Sequence, residues 1–250
     1  MARATVEAGD GFAVLGNHEY NAIAFHTLVP GTTDRWFRER SAKNLKQHQT
    51  TLDQLSASEM ADAIAWFKTL PVALELDGIR VVHAAWRDEQ IAVIHRSLET
   101  LGRFGAEFLA ESERAGSELN AAVEDVLKGP ELKLPVGRSI VDKAGHERDS
   151  VRVKWYEESA GRSYRGYHVG SDDVPDVAIE PAAVRGVTGY PADAPPVFVG
   201  HYWLTGTPGP LAANVACTDY SVAKGGKLVA YRWEGEPVLS ADKYHWVGNL

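Results

Sequence analysis

A group of side chains that could do chemistry follows an apolar run near the start of the chain. Residues 12–15 are apolar, and residues 16–19 are Gly-Asn-His-Glu. An amide oxygen beside an imidazole suits a site in which one side chain binds a metal ion and its neighbour donates a proton. We therefore expect a buried strand at 12–15 that ends in Asn17, His18 and Glu19, at the edge where ligands collect in open α/β sheets.

Two later segments repeat this arrangement of an apolar run followed by a potential metal ligand. Residues 82–84 are Val-His-Ala, and residues 200–203 are Gly-His-Tyr-Trp. If the three strands are parallel neighbours, Asn17, His83 and His201 converge on one edge of the sheet. Imidazole nitrogens and amide oxygens bind Mn, Fe or Zn. Such an ion lowers the pKa of bound water to about 7 and so supplies hydroxide for hydrolysis.

Capping and turn signals predict the elements that must position these motifs. Ser56 and Glu59 have the spacing of a capping box, and the helix that they begin ends before Pro71. An Asp-Gly pair at 77–78 predicts a hairpin. The other predictions are helices at 1–8, 20–27, 88–101 and 117–128, surface loop with a short helix at 30–54, and strands at 12–15, 72–76, 79–82, 197–199, 214–217 and 227–233.

Residues 130–196 differ in composition from the rest of the chain, with many Gly, Pro and charged residues. We interpret them as a cap, or excursion, inserted into a single domain that spans 1–250. Arginines recognise phosphate through paired hydrogen bonds, but acidic residues alternate with the cations here, so most of them are expected to form a solvated surface. Arg138 and Arg148 are the two expected to bind substrate. The cations of the excursion include Arg138, Lys143, Arg148, Arg152, Lys154, Arg162 and Arg165.

The composition argues against several classes of protein. A formal net charge of −8 argues against nucleic-acid backbone as the main partner. The single cysteine, Cys217, excludes an internal disulfide and fits a reducing compartment. No apolar run approaches the roughly 18 residues of a membrane span, and residues 1–9 are too polar for a signal peptide. A cytoplasmic location without a membrane partner is therefore expected.

In this order, the three motifs resemble those of the calcineurin-like metallophosphoesterase superfamily, and most closely its bacterial Ser/Thr phosphatase and diadenosine tetraphosphatase branch. The order of motifs and predicted elements matches that of the superfamily from residue 12 to about 233. The resemblance implies an αββα sandwich and a site for two divalent ions. It makes Asn17, His83 and His201 ligands of the second ion, His18 the proton donor to the leaving group, and Glu19 the support of His18.

The chain departs from this superfamily at its start. Members begin with Asp-x-His and Gly-Asp-x-x-Asp, which hold the first ion and the bridging carboxylate, and neither motif is present. In the superfamily, the segment that carries these two motifs corresponds to two strand–helix units, roughly 50–60 residues. We therefore expect at most one weakly held ion and an exposed sheet edge that favours oligomers. A start codon assigned too late, a true fragment and a pseudoenzyme all remain open.

The resemblance implies a hydrolase that cleaves phosphate esters with metal-activated hydroxide. Its substrate would be a phosphorylated small molecule, a nucleotide or a phosphoprotein. The alternative is a non-catalytic module that binds a phosphate-bearing ligand.

Asp219 and several histidines stand outside the three motifs. Asp219 follows the strand of Cys217, where it could orient His201 as a carboxylate partner or serve as a turn residue. The histidines without a partner motif, expected on the surface or in the core, are His26, His48, His95 and His245. His146 and His168 lie in the excursion, where a ligand role is open but not favoured.

Overall fold

The computed structural model of the protein describes residues 1–141, 147–170, 173–184 and 188–248. Helices and several β-sheets form within these residues, which confirms the mixed α/β class. None of the helices described has both the length and the apolar composition that crossing a bilayer requires.

The chain divides into two compact units. The first combines Met1–Leu74 with Arg87–Leu127, and the second combines Glu75–Trp86 with Lys128–Leu250. The single domain with an excursion at about 130–196 stays a prediction. Helices dominate the first unit. In chain order they are α1 (Ala2–Glu7), α2 (Asn17–His26), α3 (Ala42–Gln54), α4 (Ala57–Phe67), α5 (Asp88–Thr100), α6 (Ala106–Ser112) and α7 (Glu118–Lys128).

The segment before α2 differs from the prediction. Residues 12–15 form no strand. Among the described residues, the backbone hydrogen bond that joins them to another segment runs from the Leu15 N–H to the Pro71 carbonyl (2.7 Å), and one such bond does not make a ladder. The helix begins at Asn17, three residues before the predicted start, because Gly16 is its N-cap and the Glu19 carboxylate accepts a hydrogen bond from the Gly16 N–H (3.1 Å). Within the unit, α2 packs against α4.

The capping box at the start of α4 is confirmed. The Ser56 hydroxyl accepts from the Glu59 N–H, and the Glu59 carboxylate accepts from the Ser56 N–H at 2.9 Å. The segment at 30–54, predicted as surface loop with a short helix, contains the 13-residue helix α3. Its N-cap, Ser41, accepts a hydrogen bond from the Asn44 N–H.

Nearly all strands lie in the second unit, although the first two residues of β1, Ala73 and Leu74, belong to the first unit. In chain order the strands of the described residues are β1 (Ala73–Leu76), β2 (Ile79–Val82), β3 (Glu131–Lys133), β4 (Ile140–Val141), β5 (Glu147–Arg148), β6 (Ser150–Arg152), β7 (Val197–Val199), β8 (Val215–Cys217), β9 (Asp219–Tyr220), β10 (Lys227–Tyr231) and β11 (Tyr244–Gly248). The hairpin between β1 and β2 was predicted, and Gly78 in its turn has a φ of +80° that favours glycine.

The sheet that matters for function has the strand order β1-β2-β7-β8. Strand β7 pairs in parallel with β2, where Val81 lies opposite Phe198, and with β8, where Val199 lies opposite Cys217. The carboxyl ends of β2, β7 and β8 therefore meet at one edge of the sheet.

The remaining strands form smaller sheets in the second unit. Strands β9, β10 and β11 are antiparallel, β3 pairs with β6, and β4 pairs with β5. Within residues 130–196, side chains of β3 and β6 form a hydrophobic cluster with the one-turn helix α8 (Tyr164–Tyr167), in which Leu132, Val151 and Tyr167 are buried.

Candidate functional site

Two of the predicted metal ligands lie side by side at the edge of the four-stranded sheet. His83 directly follows β2, His201 follows β7 by two residues, and the Gly200 N–H donates to the His83 carbonyl at 2.9 Å. The His201 Nδ1 lies 3.2 Å from the His83 Nε2, with the ring centroids 5.1 Å apart. Both residues are half-buried. The parallel pairing of β2 with β7 thus brings together two motifs separated by more than a hundred residues.

The spacing of these two nitrogens fits a shared metal ion. Zinc and similar ions bind imidazole nitrogen at ~2.0–2.1 Å, which places two ligands of one ion about 2.9–3.4 Å apart in octahedral or tetrahedral geometry. The observed separation of 3.2 Å lies within that interval. The same two atoms can also share one proton as a hydrogen bond between neutral rings. The donor set suits Mn, Fe or Zn in the first case.

The loop that carries His201 has an uncommon backbone. His201 and Trp203 have φ values of 71° and 49°, in the left-handed region that non-glycine residues rarely occupy. Such conformations are retained where the surroundings impose them, and they cluster at functional sites. Here they turn the chain sharply on either side of Tyr202.

Asp219 stabilises this loop through the backbone. Its carboxylate accepts hydrogen bonds from the Trp203 N–H (3.1 Å) and from the Ser221 N–H (3.0 Å). Ser221 also has a left-handed backbone, with φ 62°. Asp219, for which the sequence left open a role in orienting His201 and a role in a turn, therefore holds the backbone of the loop that carries His201.

Tyr202 attaches the same loop to two other segments. Its hydroxyl donates to the Ala84 carbonyl (2.9 Å) and accepts from the Trp155 indole N–H (2.9 Å). Burial raises the pKa of the Tyr202 hydroxyl well above its ordinary value, so it stays protonated and keeps donating. No spacing in the sequence signals the contact with Trp155, which lies 47 residues away.

Cys217 lies at the end of β8 and is buried. Burial raises the pKa of its thiol to about 12, so the thiolate form that a nucleophile needs is scarce. Cys217 therefore behaves as a small apolar side chain of a buried strand.

Asn17, His18 and Glu19 are the first three residues of α2, in the first unit. His18 is exposed, and Asn17 is half-buried. The Glu19 carboxylate contacts the Gly16 N–H and not the His18 ring, so its observed role is to cap the helix. The support of His18 by Glu19 that the resemblance implied stays a prediction.

The two arginines expected to bind substrate lie on the surface of the excursion, where Arg138 and Arg148 are both exposed. Lys143 and His146 lie outside the described residues.

The remaining histidines occupy varied settings. His95 and His245 are exposed, and the His168 ring contacts the Arg152 carbonyl (3.0 Å). His26 and His48 form a second imidazole pair in the first unit, with their Nε2 atoms 2.9 Å apart. Sequence reasoning missed this pair, because the two residues share no motif. Over the described ranges, no three side chains of His, Cys, Asp or Glu form a group able to hold a metal ion.

No protein-family model matches this chain, and no curated protein matches it.

Proposed function

We propose that this protein is a metal-dependent phosphoesterase of the calcineurin-like type, with an αββα sandwich fold. The observation that carries the proposal is the approach of the His83 and His201 nitrogens to 3.2 Å beyond two adjacent parallel strands. That edge is where α/β sheets hold ligands. The left-handed backbone at His201 supports the proposal, because a strained conformation beside a potential ligand is typical of functional sites.

We assign a separate role in this reaction to each residue of the proposed site. His83 and His201 would hold a divalent ion, and the resemblance gives Asn17 the role of a further ligand. Such an ion supplies Lewis acidity toward phosphoryl oxygens. Asp219 and Tyr202 fix the loop of His201, so the two imidazoles are positioned before substrate arrives. The resemblance also makes His18 the group that protonates the leaving oxygen as its bond to phosphorus breaks.

Hydrolysis of p-nitrophenyl phosphate with added Mn²⁺ tests this function. We expect slow turnover that EDTA abolishes, and a loss of about 100-fold or more in kcat for His18→Gln, the scale of general acid catalysis. Binding of Mn²⁺ should not change in that variant. His95→Gln is the matched control, because His95 is an exposed histidine on α5.

The outcomes separate the two candidate functions. Turnover that survives EDTA, or full activity in His18→Gln, would contradict the phosphoesterase mechanism. Binding of Mn²⁺ at His83 and His201 without turnover would favour the alternative, a non-catalytic module that binds a phosphate-bearing ligand.

A further inference from the structure

The first unit contains a small polar cleft. Its polar lining comes from His18, Asn21, Arg38, Asn44, Gln47 and His48, and its volume is about 20 Å³. A space of this size admits one water-sized group, since a single water needs about 10–15 Å³. No carboxylate is among the residues that line it.

Arg38 is held in this cleft by neutral groups. Its guanidinium donates to the Asn21 side-chain oxygen (3.1 Å), the Asn44 side-chain oxygen (3.0 Å) and the Gln47 side-chain oxygen (3.1 Å). Among the described residues, no carboxylate pairs with it. A guanidinium has more N–H donors than these three bonds use. The amides therefore orient the charge without neutralising it.

His48 is half-buried and lines the same cleft as Arg38. Burial and, after it, the positive charge of the nearby Arg38 lower the pKa of His48. The ring is therefore mostly neutral at pH 7, and its Nε2 faces the His26 Nε2 at 2.9 Å. An anion that entered the cleft would meet the positive charge of Arg38 beside a neutral imidazole.

We propose that this cleft binds a phosphoryl group, with Arg38 as its charged donor and His48 and His18 as neighbouring imidazoles. One phosphoryl oxygen enters the cleft, and the others stay at its mouth. A guanidinium whose orientation is already fixed suits a phosphoryl group, because it forms charge-assisted hydrogen bonds without first ordering a long side chain. The use of this cleft in catalysis would rest on the proposed function, whereas phosphate binding does not.

Calorimetric titration with inorganic phosphate in EDTA tests the binding, because EDTA removes any contribution of metal at His83 and His201. Gln47→Glu is the informative variant. Gln47 is exposed, and a carboxylate there would pair with Arg38 and repel the anion while leaving the guanidinium in place. Gln54→Glu is the matched control, since it adds the same charge at an exposed position on the same helix.

We expect phosphate to bind the wild type and Gln54→Glu equally, and to bind Gln47→Glu at least about tenfold more weakly, a difference of ~1.4 kcal/mol. Arg38→Lys, which keeps the charge but loses the fork of donors, should also bind more weakly. Equal affinity in Gln47→Glu and Gln54→Glu, no binding to the wild type, or equal binding of acetate would overturn the proposal. Activity is not the readout, so failure here is distinguishable from failure of the phosphoesterase.

Discussion

The Tyr202 hydroxyl donates a hydrogen bond to the carbonyl of Ala84, the residue that follows His83, at 2.9 Å. It also accepts one from the Trp155 indole N–H. One hydroxyl thus joins the backbone beside both histidines to a residue of the excursion. The Ala84 carbonyl, the Tyr202 hydroxyl and the Trp155 N–H form one hydrogen-bonded chain. We therefore expect the loop of His201 to be a rigid part of the second unit.

Tyr202→Phe should lower the free energy of unfolding by about 1–3 kcal/mol, because the Ala84 carbonyl and the Trp155 N–H both lose their partner. Urea denaturation measures the loss. Tyr244→Phe is the control, since the Tyr244 hydroxyl is buried without a hydrogen-bond partner among the described residues. Its removal should be neutral or slightly stabilising. Equal losses in the two variants would mean that the hydrogen bonds of Tyr202 contribute nothing.

Asp219→Asn should weaken metal binding at the His83–His201 pair, although Asp219 is not expected to touch the ion. The amide keeps one acceptor for the two backbone N–H groups and loses the charge, so the left-handed residues Trp203 and Ser221 are held less firmly. Loss of such a supporting carboxylate typically costs 10–100-fold, on the order of 1.4–2.7 kcal/mol, in metal affinity. Titration with Co²⁺, followed by absorbance, measures the affinity. The exposed Asp193→Asn is the control, and an unchanged affinity in Asp219→Asn would refute the argument.

The features that sequence predicts well depend on local signals. The hairpin follows from Asp-Gly between two apolar runs, and the start of α4 follows from the Ser56–Glu59 spacing. His83 and His201 were expected together because apolar runs precede both, and parallel strands collect such ends at one edge. These signals need no knowledge of distant residues.

The features that sequence misses depend on partners far along the chain. An apolar run at 12–15 does not form a strand without a neighbouring strand to complete a ladder. Arg38 reaches Asn21 and Gln47 from a loop whose composition resembles ordinary surface. The contact between Trp155 and Tyr202 likewise has no periodic signature. Tertiary contacts create each of these features, so the sequence pattern alone does not predict them.

The stability of the protein should fall in mild acid, partly because of His26. Burial, followed by the charges of His48 and Arg40, lowers the pKa of His26 from 6.5 to about 4. Above pH 6.5 the ring is neutral in both the folded and unfolded states and contributes nothing to the pH dependence. As the pH falls from 6.5 toward 4, the unfolded chain binds a proton that the folded protein does not, so stability is lost in that window.

Urea denaturation at several pH values between 7 and 4 measures this effect. His26→Gln should lose stability less steeply than the wild type over the window, because glutamine does not titrate. His95→Gln, at an exposed position, should follow the wild type. If His26→Gln and the wild type lose stability in parallel, His26 is not the group responsible.

The chain should bind one divalent ion at most, and weakly. In the second unit the described ligand pair is His83 and His201, and two imidazoles hold Zn²⁺ or Mn²⁺ less tightly than the three or four ligands of established sites. Equilibrium dialysis followed by metal analysis should therefore give one equivalent or less.

His83→Gln and His201→Gln should each reduce the bound metal, whereas His245→Gln, an exposed position in the same unit, should not. Affinity should also fall as the pH falls, because the imidazoles must be neutral to bind. Two tightly held equivalents in the wild type would mean that other side chains complete a second site. Unchanged binding in both His83→Gln and His201→Gln would place the metal elsewhere and remove the main support for the proposed phosphoesterase.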